Sequence, residues 1–304
     1  MLSINYFKAL SDITRIRVFN VLLTYELSVN EIVLLLNMGQ SLISRHLKIL
    51  NDSGLLSCRR DRVWAFYSAN QTNDAKRFID AISYLFKDDP LLLEDLDKAS
   101  RLIDDRQNFT KTFFNSIASE WDRLKHDILT DIKLNEIIFN NIKKDCVVAD
   151  LGCGTGDLLA CLSAHISRAI GVDSSVKMLE QAKKRFKNSN TKIDFRLGEL
   201  EHLPIGNGEV DTVIFSLVLH HLPSPESAIM ESARILKSDG KIIIADFGKH
   251  ENESMRKKYG DRWLGFQDSE IKRWLSDQGF ELRSEASFVL KESIRLSVHT
   301  AIKK

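Results

Sequence analysis

The stretch Val147-Val148-Ala149-Asp150-Leu151-Gly152-Cys153-Gly154-Thr155-Gly156 decides the fold of the half of the chain that contains it. Its apolar start predicts a buried strand. Glycines at alternate positions then predict a loop where the backbone turns sharply and a ligand lies against bare main chain. A helical pattern follows at residues 157–163. Asp157 stands where the dinucleotide-binding fingerprint has its third glycine, so the segment predicts a nucleotide-binding element of another kind.

Strand and helix patterns alternate from residue 146 onwards. Strands are predicted at residues 147–151, 169–172, 193–197, 210–216 and 241–245, and helical patterns such as 176–186 and 227–236 separate them. This alternation predicts a parallel sheet with helices on both faces and a ligand at the carboxyl ends of the strands. Residues 280–289 and 293–301 have a short connection, which predicts a hairpin added to that sheet.

Three segments of this half carry a family resemblance. Asp150 with its three glycines resembles motif I of the class I S-adenosylmethionine (SAM) methyltransferases. Gly171-Val172-Asp173 and Gly198-Glu199-Leu200-Glu201-His202-Leu203-Pro204 resemble later elements of the same family. The resemblance runs from about Phe109 to the end of the chain. It implies a Rossmann-like α/β domain of the small-molecule methyltransferase type, with SAM or S-adenosylhomocysteine (SAH) as its ligand.

The same resemblance implies a cofactor site. Asp173 would accept from both ribose hydroxyls. Glu199 would accept from the adenine amino group, and the backbone N–H of Leu200 would meet the ring. The family commonly has aspartate where this chain has Glu199, so the side chain is longer by a methylene. The full predicted set is Asp150, Gly152, Gly154, Gly156, Asp173, Met178, Glu199, Leu200 and Ser216.

The N-terminal part follows a different pattern. Apolar residues recur at helical spacing through residues 6–25, 30–36 and 41–50, and the last two segments are separated by Asn37-Met38-Gly39-Gln40. Residues 55–60 and 63–68 read as a hairpin with Asp61-Arg62 at its tip. Helix, short turn, helix and hairpin in this order predict a mainly α winged helix-turn-helix domain.

The segment 41–50 has two kinds of face. Its apolar residues Leu42, Ile43, Leu47, Ile49 and Leu50 include a core-facing set, and His46 fits either face. The polar residues are of the types that bind phosphates and base edges. Arginines on the hairpin would grip a neighbouring phosphate backbone. The residues predicted to contact double-stranded DNA are Gln40, Ser41, Ser44, Arg45, Lys48, Arg59, Arg60 and Arg62.

Charge gives only local support for a nucleic-acid partner. The formal net charge of the chain is +1, but residues 1–72 hold eight Lys/Arg against five acids. A solvated charged face on a protein-interaction module is the alternative interpretation. No apolar run approaches the roughly 20 residues of a membrane span, and no signal peptide is recognisable. A cytoplasmic protein without a membrane partner is therefore expected.

Residues 40–50 together with Ser53-Gly54-Leu55-Leu56 resemble the winged helix of ArsR-type transcriptional regulators, over residues 1 to about 88. Metal-sensing members carry a Glu-Leu-Cys-x-Cys box, where this chain has Glu26-Leu27-Ser28-Val29-Asn30. A hydroxyl and an amide do not hold a soft metal. The four cysteines (Cys58, Cys146, Cys153 and Cys161) form no Cys-x-x-Cys pair and have no histidine at zinc spacing, so they are expected to be reduced and no metal site is predicted.

A helical connection joins the two parts. Residues 74–86 carry the apolar stripe Phe78, Ile79, Ile82, Leu85 and Phe86. The ArsR resemblance implies that this helix pairs with its twin in a homodimer, and packing within one chain is the alternative. Pro90 is expected to break the chain before a helical segment at 91–105. Residues 113–122 resemble the helix that folds over the cofactor in small-molecule methyltransferases, with a structural aromatic stripe as the alternative.

The predicted organisation is a winged helix-turn-helix domain at residues 1–88, a helical linker at 89–108 and a methyltransferase domain at 109–304. Methyl transfer needs alignment, and a base if the acceptor carries a proton. His220 and His221 are the candidate bases, and packing of the strand-to-helix turn is the alternative. Trp263, Phe266 and Trp274 are predicted either to line an acceptor site or to belong to the core.

Two functions remain open at this level. The first is a transcriptional regulator whose C-terminal domain senses SAM or SAH and in addition methylates a small molecule. The second is a small-molecule methyltransferase that uses its winged helix for dimerisation. No Asn/Asp-Pro-Pro-aromatic segment is present, which disfavours methylation of exocyclic amines in DNA, and the cysteines are not arranged for arsenite methylation. The methyl acceptor is not identified by the sequence.

Overall fold

The computed structural model describes residues 2–61, 64–188, 191–290 and 293–304. The chain divides into two compact units, Met1–Arg106 and Gln107–Lys304. Among the helices that the structure describes, none combines the length and the apolar character needed to cross a bilayer.

The first unit is a helical domain with a small antiparallel sheet. Its helices are α1 (Leu2–Ala9), α2 (Ile13–Thr24), α3 (Val29–Leu36), α4 (Gln40–Asp52), α5 (Asn73–Ile82), the 3₁₀ turn Ser83–Phe86 and the first part of α6 (Pro90–Ile117). Its strands are β1 (Leu27–Ser28), β2 (Leu56–Asp61) and β3 (Trp64–Ala69), in the order β1-β3-β2. Helix α4 followed by the β2–β3 hairpin confirms the predicted winged helix-turn-helix.

Capping side chains set the helix boundaries of this unit. The segment predicted as one helical run at residues 6–25 consists of two helices, because Asp12 caps α2 by accepting from the Arg15 N–H at 3.0 Å. Ser28 and Glu31 form a capping box at the start of α3. Ser28, which lies where metal-sensing relatives have a thiolate, is therefore a helix cap.

Helix α4 separates its apolar and polar residues as amphipathic helices do. Ile43, Leu47 and Leu50 are fully buried, and His46 lies on this inner face. The other two apolar residues are on the outer side, because Leu42 is 38% exposed and Ile49 is 43% exposed. The inner face packs into one core with residues such as Val18, Phe19 and Leu22 of α2.

Helix α5 and its 3₁₀ extension bury only part of their apolar stripe. Ile79 is buried, and Phe78, Ile82 and Phe86 pack partly buried against the core, whereas Leu85 is 61% exposed. Pro90 begins helix α6 rather than breaking the chain, since proline suits the first helical turn. The segment predicted as one helix at 113–122 is divided, because α6 ends at Ile117 and the next helix begins at Trp121.

The second unit is a seven-stranded sheet flanked by helices. Its helices are α7 (Trp121–Leu129), α8 (Leu134–Phe139), α9 (Asp157–Leu162), α10 (Val176–Arg185), the 3₁₀ turn Leu219–His221, α11 (Pro225–Ile235), α12 (Ser254–Tyr259) and α13 (Asp268–Asp277). Its strands are β4 (Val147–Leu151), β5 (Arg168–Asp173), β6 (Ile193–Leu197), β7 (Val210–Ser216), β8 (Leu236–Phe247), β9 (Phe280–Val289) and β10 (Arg295–Lys303).

The strand order is β6-β5-β4-β7-β8-β10-β9. Strands β4 to β8 pair in parallel, and β10 is antiparallel to both β8 and β9. This confirms the predicted Rossmann-like sheet with its C-terminal hairpin. The chain leaves β4 towards β5 on one side and reaches β7 on the other, so the order reverses between β4 and β7. Ligands of open α/β sheets bind in the crevice at such a point.

The central strands are buried on both faces, as expected for parallel strands covered by helices. Val148, Ala149 and Leu151 of β4 are all 0% exposed. The aromatic residues Trp263, Phe266 and Trp274 are also buried, at 0%, 2% and 3% exposure. Trp263 donates its indole N–H to the Leu222 carbonyl at 2.8 Å. These aromatic side chains therefore belong to the core.

Candidate functional site

The glycine loop after β4 holds three residues in the left-handed region, with φ of +76° at Gly152, +51° at Gly154 and +74° at Gly156. Side chains rarely adopt this conformation. A Cβ atom on Gly152 would also lie 2.3 Å from a methyl carbon of Val218. The loop is tied to the next strand, because the Gly152 N–H donates to the Val172 carbonyl at 2.8 Å. All three positions thus favour glycine by conformation, and Gly152 requires it by space as well.

Asp173, at the end of β5, joins this loop to helix α10. Its carboxylate accepts from the Gly154 N–H and from the Ser175 N–H, each at 2.8 Å. Burial raises the pKa of Asp173 to about 6, although these N–H groups oppose that rise. A carboxylate has about four lone-pair positions, so two bonds leave it able to accept more.

Asp150 lies on β4 beside the same loop and is 2% exposed. Burial raises its pKa to about 7, and the positive charge of Lys125 opposes that rise. A buried carboxylate with such a pKa costs free energy when it is ionised in the absence of a ligand. Asp150 and Asp173 therefore make the loop strongly receptive to hydrogen-bond donors and positive charge.

A pocket of about 820 Å³, including the part open to solvent, lies against these residues. Eight of the nine predicted cofactor residues line it: Asp150, Gly152, Gly154, Asp173, Met178, Glu199, Leu200 and Ser216. The ninth, Gly156, caps helix α9 instead. The position that a Cβ of Gly154 would take is 3.5 Å from the Trp121 indole nitrogen, so the loop and α7 face each other closely.

The end of β7 supplies another wall of the pocket. Ser216 presents a buried hydroxyl that makes no hydrogen bond within the part of the chain that the structure describes. Leu217 follows with φ of +57°, a conformation that costs a non-glycine residue roughly 1–2 kcal/mol. Such backbone strain often accompanies functional sites.

Four pocket residues come from the helices that precede β4, and two of them, Thr110 and Lys125, lie outside the segment 113–122 that was expected to cover the cofactor. Thr110 and Phe114 of α6 and Trp121 and Lys125 of α7 line the pocket. Lys111, one residue after Thr110, places its Nζ 2.5 Å from Glu199 Oε1. The predicted adenine acceptor is thus already engaged in an ion pair. Only the resemblance of residues 113–122 to a cofactor-covering helix pointed to this region.

The two candidate bases differ in environment. His220 donates from Nδ1 to Asp246 Oδ1 at 2.5 Å and is 1% exposed. Burial lowers its pKa, but the carboxylates of Asp246 and Asp261 outweigh burial and raise it. His221 lines the pocket and donates from Nδ1 to the Gly260 carbonyl at 3.2 Å. Burial and the neighbouring His220 hold its pKa well below the usual value, so His221 is neutral.

The winged-helix residues form a second candidate site. Gln40, Ser41, Ser44, Arg45 and Lys48 are all exposed on α4. Arg59 on β2 behaves differently, because it donates to both carboxylate oxygens of Glu26 at 3.1 and 2.8 Å and lies over the Phe66 ring. Strand β2 extends to Asp61, which was predicted to lie at the tip of the hairpin. The side chain of Arg60 and the whole of Arg62 lie outside the described residues.

Comparison with known families matches each unit separately. The family described as "Bacterial regulatory protein, arsR family" matches residues 12–57, and the family described as "Methyltransferase domain" matches residues 149–244. The chain therefore carries an ArsR-type helix-turn-helix segment and a SAM-dependent methyltransferase domain, and we call it the fusion protein. The glycine loop, Asp173 and the pocket of this fusion protein lie within or beside the second match.

Two relatives of the fusion protein are methyltransferases. It is 28% identical over 152 residues to the ubiquinone/menaquinone biosynthesis C-methyltransferase UbiE of Campylobacter jejuni, which covers 45% of the chain and 63% of that enzyme. It is 33% identical over 163 residues to the demethylmenaquinone methyltransferase of Leptospira interrogans, which covers 50% of the chain and 65% of that enzyme. The fusion protein thus spans less than two thirds of these relatives.

Among solved structures, the [4+2]-cyclase SpnF superposes with a TM-score of 0.51 at 17% identity, over 56% of the chain and 80% of SpnF. At this identity the similarity shows the fold alone. A fold shared with a cyclase does not establish methyl transfer, because function resides in the site rather than in the fold.

Proposed function

We propose that this fusion protein is a transcriptional regulator whose methyltransferase domain binds SAM or SAH and whose winged helix binds double-stranded DNA as a homodimer. The observation that carries the cofactor assignment is the Asp173 carboxylate. Two backbone N–H groups hold it at the pocket wall, and it retains lone pairs for further donors. It stands beside a glycine loop that leaves main chain bare.

The residues fit a nucleoside with an amino-acid tail. Asp173 is at the carboxyl end of the strand next to β4, where a ribose diol finds its acceptor in Rossmann-like folds. The Ser216 hydroxyl, which has no hydrogen-bond partner among the described residues, and the buried carboxylate of Asp150 offer further polar contacts. Bound SAM would supply an electrophilic methyl group, and the protein residues orient the ligand and exclude water. Glu199 would accept from adenine only by sharing or releasing Lys111.

The DNA assignment rests on helix α4. Five polar or basic side chains of this helix are exposed. They face outward because Ile43, Leu47 and Leu50 on its inner face are buried in the core. We assign base contact to Arg45, because exposed arginine on a recognition helix can form the bidentate contact that reads guanine. Arg59 contributes less to phosphate binding than expected, because Glu26 already neutralises its charge.

The signal proposed for the regulator is the cofactor itself. Ser28, at the position where metal-sensing ArsR-type regulators have a cysteine, caps helix α3, so this position offers no soft metal ligand. Helix α6 is continuous from Pro90 to Ile117 and contributes Thr110 and Phe114 to the pocket. Occupancy of the pocket would bias this helix, and α6 directly follows the segment α5–Phe86 that we assign to dimerisation.

A second candidate is a small-molecule methyltransferase that keeps the winged helix for dimerisation. It is favoured by the pocket beyond the glycine loop, where Phe114, Leu217 and Leu222 add apolar surface. Such surface would suit an apolar acceptor. The two relatives described above are named for methylation in quinone biosynthesis, which agrees with an acceptor of this kind.

Calorimetric titration of the full chain with SAM and with SAH tests the cofactor assignment. Asp173→Ala should weaken binding about ten- to hundredfold, because a charged acceptor is lost. Asp277→Ala, which removes an exposed acid at the end of α13, is the matched control and should leave the affinity unchanged. Equal affinities for the parent chain and Asp173→Ala, or no binding of either ligand by the parent chain, would contradict the proposal.

A further inference from the structure

Three buried side chains converge behind the pocket. His220 and His221 belong to the 3₁₀ turn after β7, and Asp261 follows helix α12. One nitrogen of each histidine and one carboxylate oxygen of Asp261 lie within 4.8 Å of one another. The residues are 1%, 4% and 4% exposed. Two imidazoles and one carboxylate make up a common ligand set for catalytic zinc and for non-haem iron.

The outer nitrogens of both histidines are already fixed. His220 donates from Nδ1 to Asp246, and Asp246 also accepts the backbone N–H groups of Leu219 at 2.8 Å and Phe247 at 2.7 Å. His221 donates from Nδ1 to the Gly260 carbonyl. A carboxylate or a carbonyl behind Nδ1 is the usual support of a metal-binding histidine, and it leaves the Nε2 lone pair for the ion.

The inner atoms are the ones without partners. His221 Nε2 and both oxygens of Asp261 make no hydrogen bond to any residue in the described ranges. His220 Nε2 is 3.6 Å from Asp261 Oδ1, which is too long for a hydrogen bond. Two ligands held 2.0–2.2 Å from a tetrahedral ion are separated by about 3.3–3.6 Å. The spacing therefore suits two ligands of one ion.

Charge points in the same direction. Asp246 and Asp261 are two buried carboxylates that face the single imidazole of His220. Even with that imidazole protonated, these three side chains carry an excess negative charge, which Arg256 offsets only from a distance, and buried charge is costly. A divalent cation between His220, His221 and Asp261 would remove this excess.

We propose that His220, His221 and Asp261 bind one divalent transition-metal ion of the zinc class. His221 lines the pocket, so the fourth coordination position opens towards the ligand space. The two histidines then act as metal ligands rather than as general bases. The sequence predicted no metal site, because two adjacent histidines and an aspartate forty positions further on match no zinc spacing.

The proposed ion predicts the chemical class of the methyl acceptor. This prediction rests on the proposed function of the SAM pocket. An acceptor hydroxyl or thiol bound to the ion would release its proton to solvent more easily, because the metal lowers its pKa. The freed oxygen or sulfur then forms its bond to the methyl carbon of SAM. The carbon–sulfur bond of SAM breaks with its electron pair left on sulfur, and SAH results.

A second histidine–carboxylate cluster provides the control. Asp268, Glu285 and His299 also lie within 4.8 Å of one another. Basic side chains already pair with both carboxylates of this cluster. Arg295 Nη2 lies 2.6 Å from Asp268 Oδ2, and Lys272 Nζ lies 2.7 Å from Glu285 Oε2. This cluster therefore has no need of an ion, and His299→Gln is a matched substitution outside the proposed site.

Cobalt titration of the full, tag-free chain tests the site after removal of metals with a chelator. We expect one Co²⁺ per chain, with the visible absorption of tetrahedral Co²⁺ and without a thiolate charge-transfer band. Zn²⁺ should displace it. Asp261→Asn and His221→Gln should each weaken Co²⁺ binding at least tenfold, and His299→Gln should bind as the parent does. Asp246→Asn changes a residue that supports His220 and is not itself a proposed ligand, and it should weaken Co²⁺ binding about 10–100-fold.

Absence of saturable Co²⁺ binding by the parent chain would overturn the proposal, as would equal binding by the parent and the Asp261 and His221 variants. Thiolate ligation of the cobalt would overturn it as well. SAM affinity of the parent chain is measured separately in the presence of chelator. SAM binding without metal binding would refute the metal site alone, whereas failure to bind SAM would refute the proposed function.

Discussion

The Asp173 side chain stabilises the fold and, in the proposed function, also binds the ligand. Its carboxylate satisfies the N–H groups of Gly154 and Ser175, which would otherwise be unpaired at the ends of two tight turns. The same bonds hold the carboxylate at the pocket wall. Because the position is buried, the pKa of Asp173 is about 6, close enough to neutrality for pH to control its charge.

SAM affinity should therefore depend on pH. In the role that we propose for Asp173, its ionised form accepts from the ribose, so SAM affinity should fall as the pH drops through about 6, by up to tenfold per unit. The free energy of unfolding of the protein without ligand should respond to pH in the opposite sense. A carboxyl whose folded pKa is raised above 3.8 favours folding less as the pH rises through the window up to about 6.

Calorimetry between about pH 5 and pH 8 measures this dependence. Asp150, whose pKa is about 7, ionises in the same window, and Asp173→Asn separates the two contributions. This variant should bind SAM weakly and lose the part of the dependence that is centred near pH 6. A parent affinity that is constant across the range would contradict the assigned role of Asp173.

The loop between β4 and α9 is the element on which the site depends. Gly152 needs a left-handed conformation, and it also needs the space in front of Val218, which lines the pocket. Gly279, between α13 and β9, has nearly the same φ, +77° against +76°, but nothing lies within 4 Å of the Cβ it would carry. The two glycines thus separate backbone strain from steric conflict.

Gly152→Ala should destabilise the methyltransferase unit more than Gly279→Ala does. Both variants carry a strain of roughly 1–2 kcal/mol from positive φ. Gly152→Ala adds roughly 1–3 kcal/mol, because the stiff Val218 side chain must move. Urea unfolding followed by tryptophan fluorescence reports this difference, since Trp121, Trp263 and Trp274 lie in this unit. SAM affinity should fall only in Gly152→Ala, and equal losses of stability would show that conformation alone requires Gly152.

At the scale of the whole molecule, two units with different chemistry share one chain. The first unit contains helix α4 and the wing, to which we assign DNA binding, and the second unit contains the pocket. Helix α6 belongs to both, since the division between the units falls at residues 106 and 107. Any influence of SAM on DNA is therefore a coupling free energy between two sites, and such coupling is reciprocal.

Saturating SAM or SAH should change the affinity for DNA from upstream of the protein's own gene by about five- to 150-fold, which corresponds to about 1–3 kcal/mol. That DNA should change the SAM affinity by the same factor. Fluorescence anisotropy with labelled DNA measures the first change, and calorimetry measures the second. Asp173→Ala should bind DNA without responding to ligand, and Arg45→Ala should retain SAM binding with relaxed DNA specificity.

Identical DNA affinities with no ligand, with SAM and with SAH would mean that the domains are merely tethered. The methyltransferase function with a dimerising winged helix would then be the better account. Failure of the parent chain to bind any upstream fragment at moderate salt would remove the support for a regulator, since phosphate contacts alone give measurable affinity there.

Local sequence patterns specify two kinds of domain, their order along the chain and the approximate positions of most strands. Strand β4, the glycine loop and the start of α9 follow from a local pattern, as do α3, α4 and the hairpin of the wing. These features depend on periodicity and on glycine, which act over a few residues. Eight of the nine predicted cofactor residues line the pocket, because strand ends of a parallel sheet meet at one edge.

Contacts between side chains that are distant in the chain depend on the folded structure. The pairs of Lys111 with Glu199 and of Arg59 with Glu26 join residues that no local pattern relates. The adjacent residues His220 and His221 differ in environment because their hydrogen-bond partners differ. His221 donates to the Gly260 carbonyl and His220 donates to Asp246, and both partners lie on other elements. Asp261 joins the histidines for the same reason. A contact between residues remote in the chain depends on how whole elements pack, and packing is a property of the assembled core rather than of any short segment.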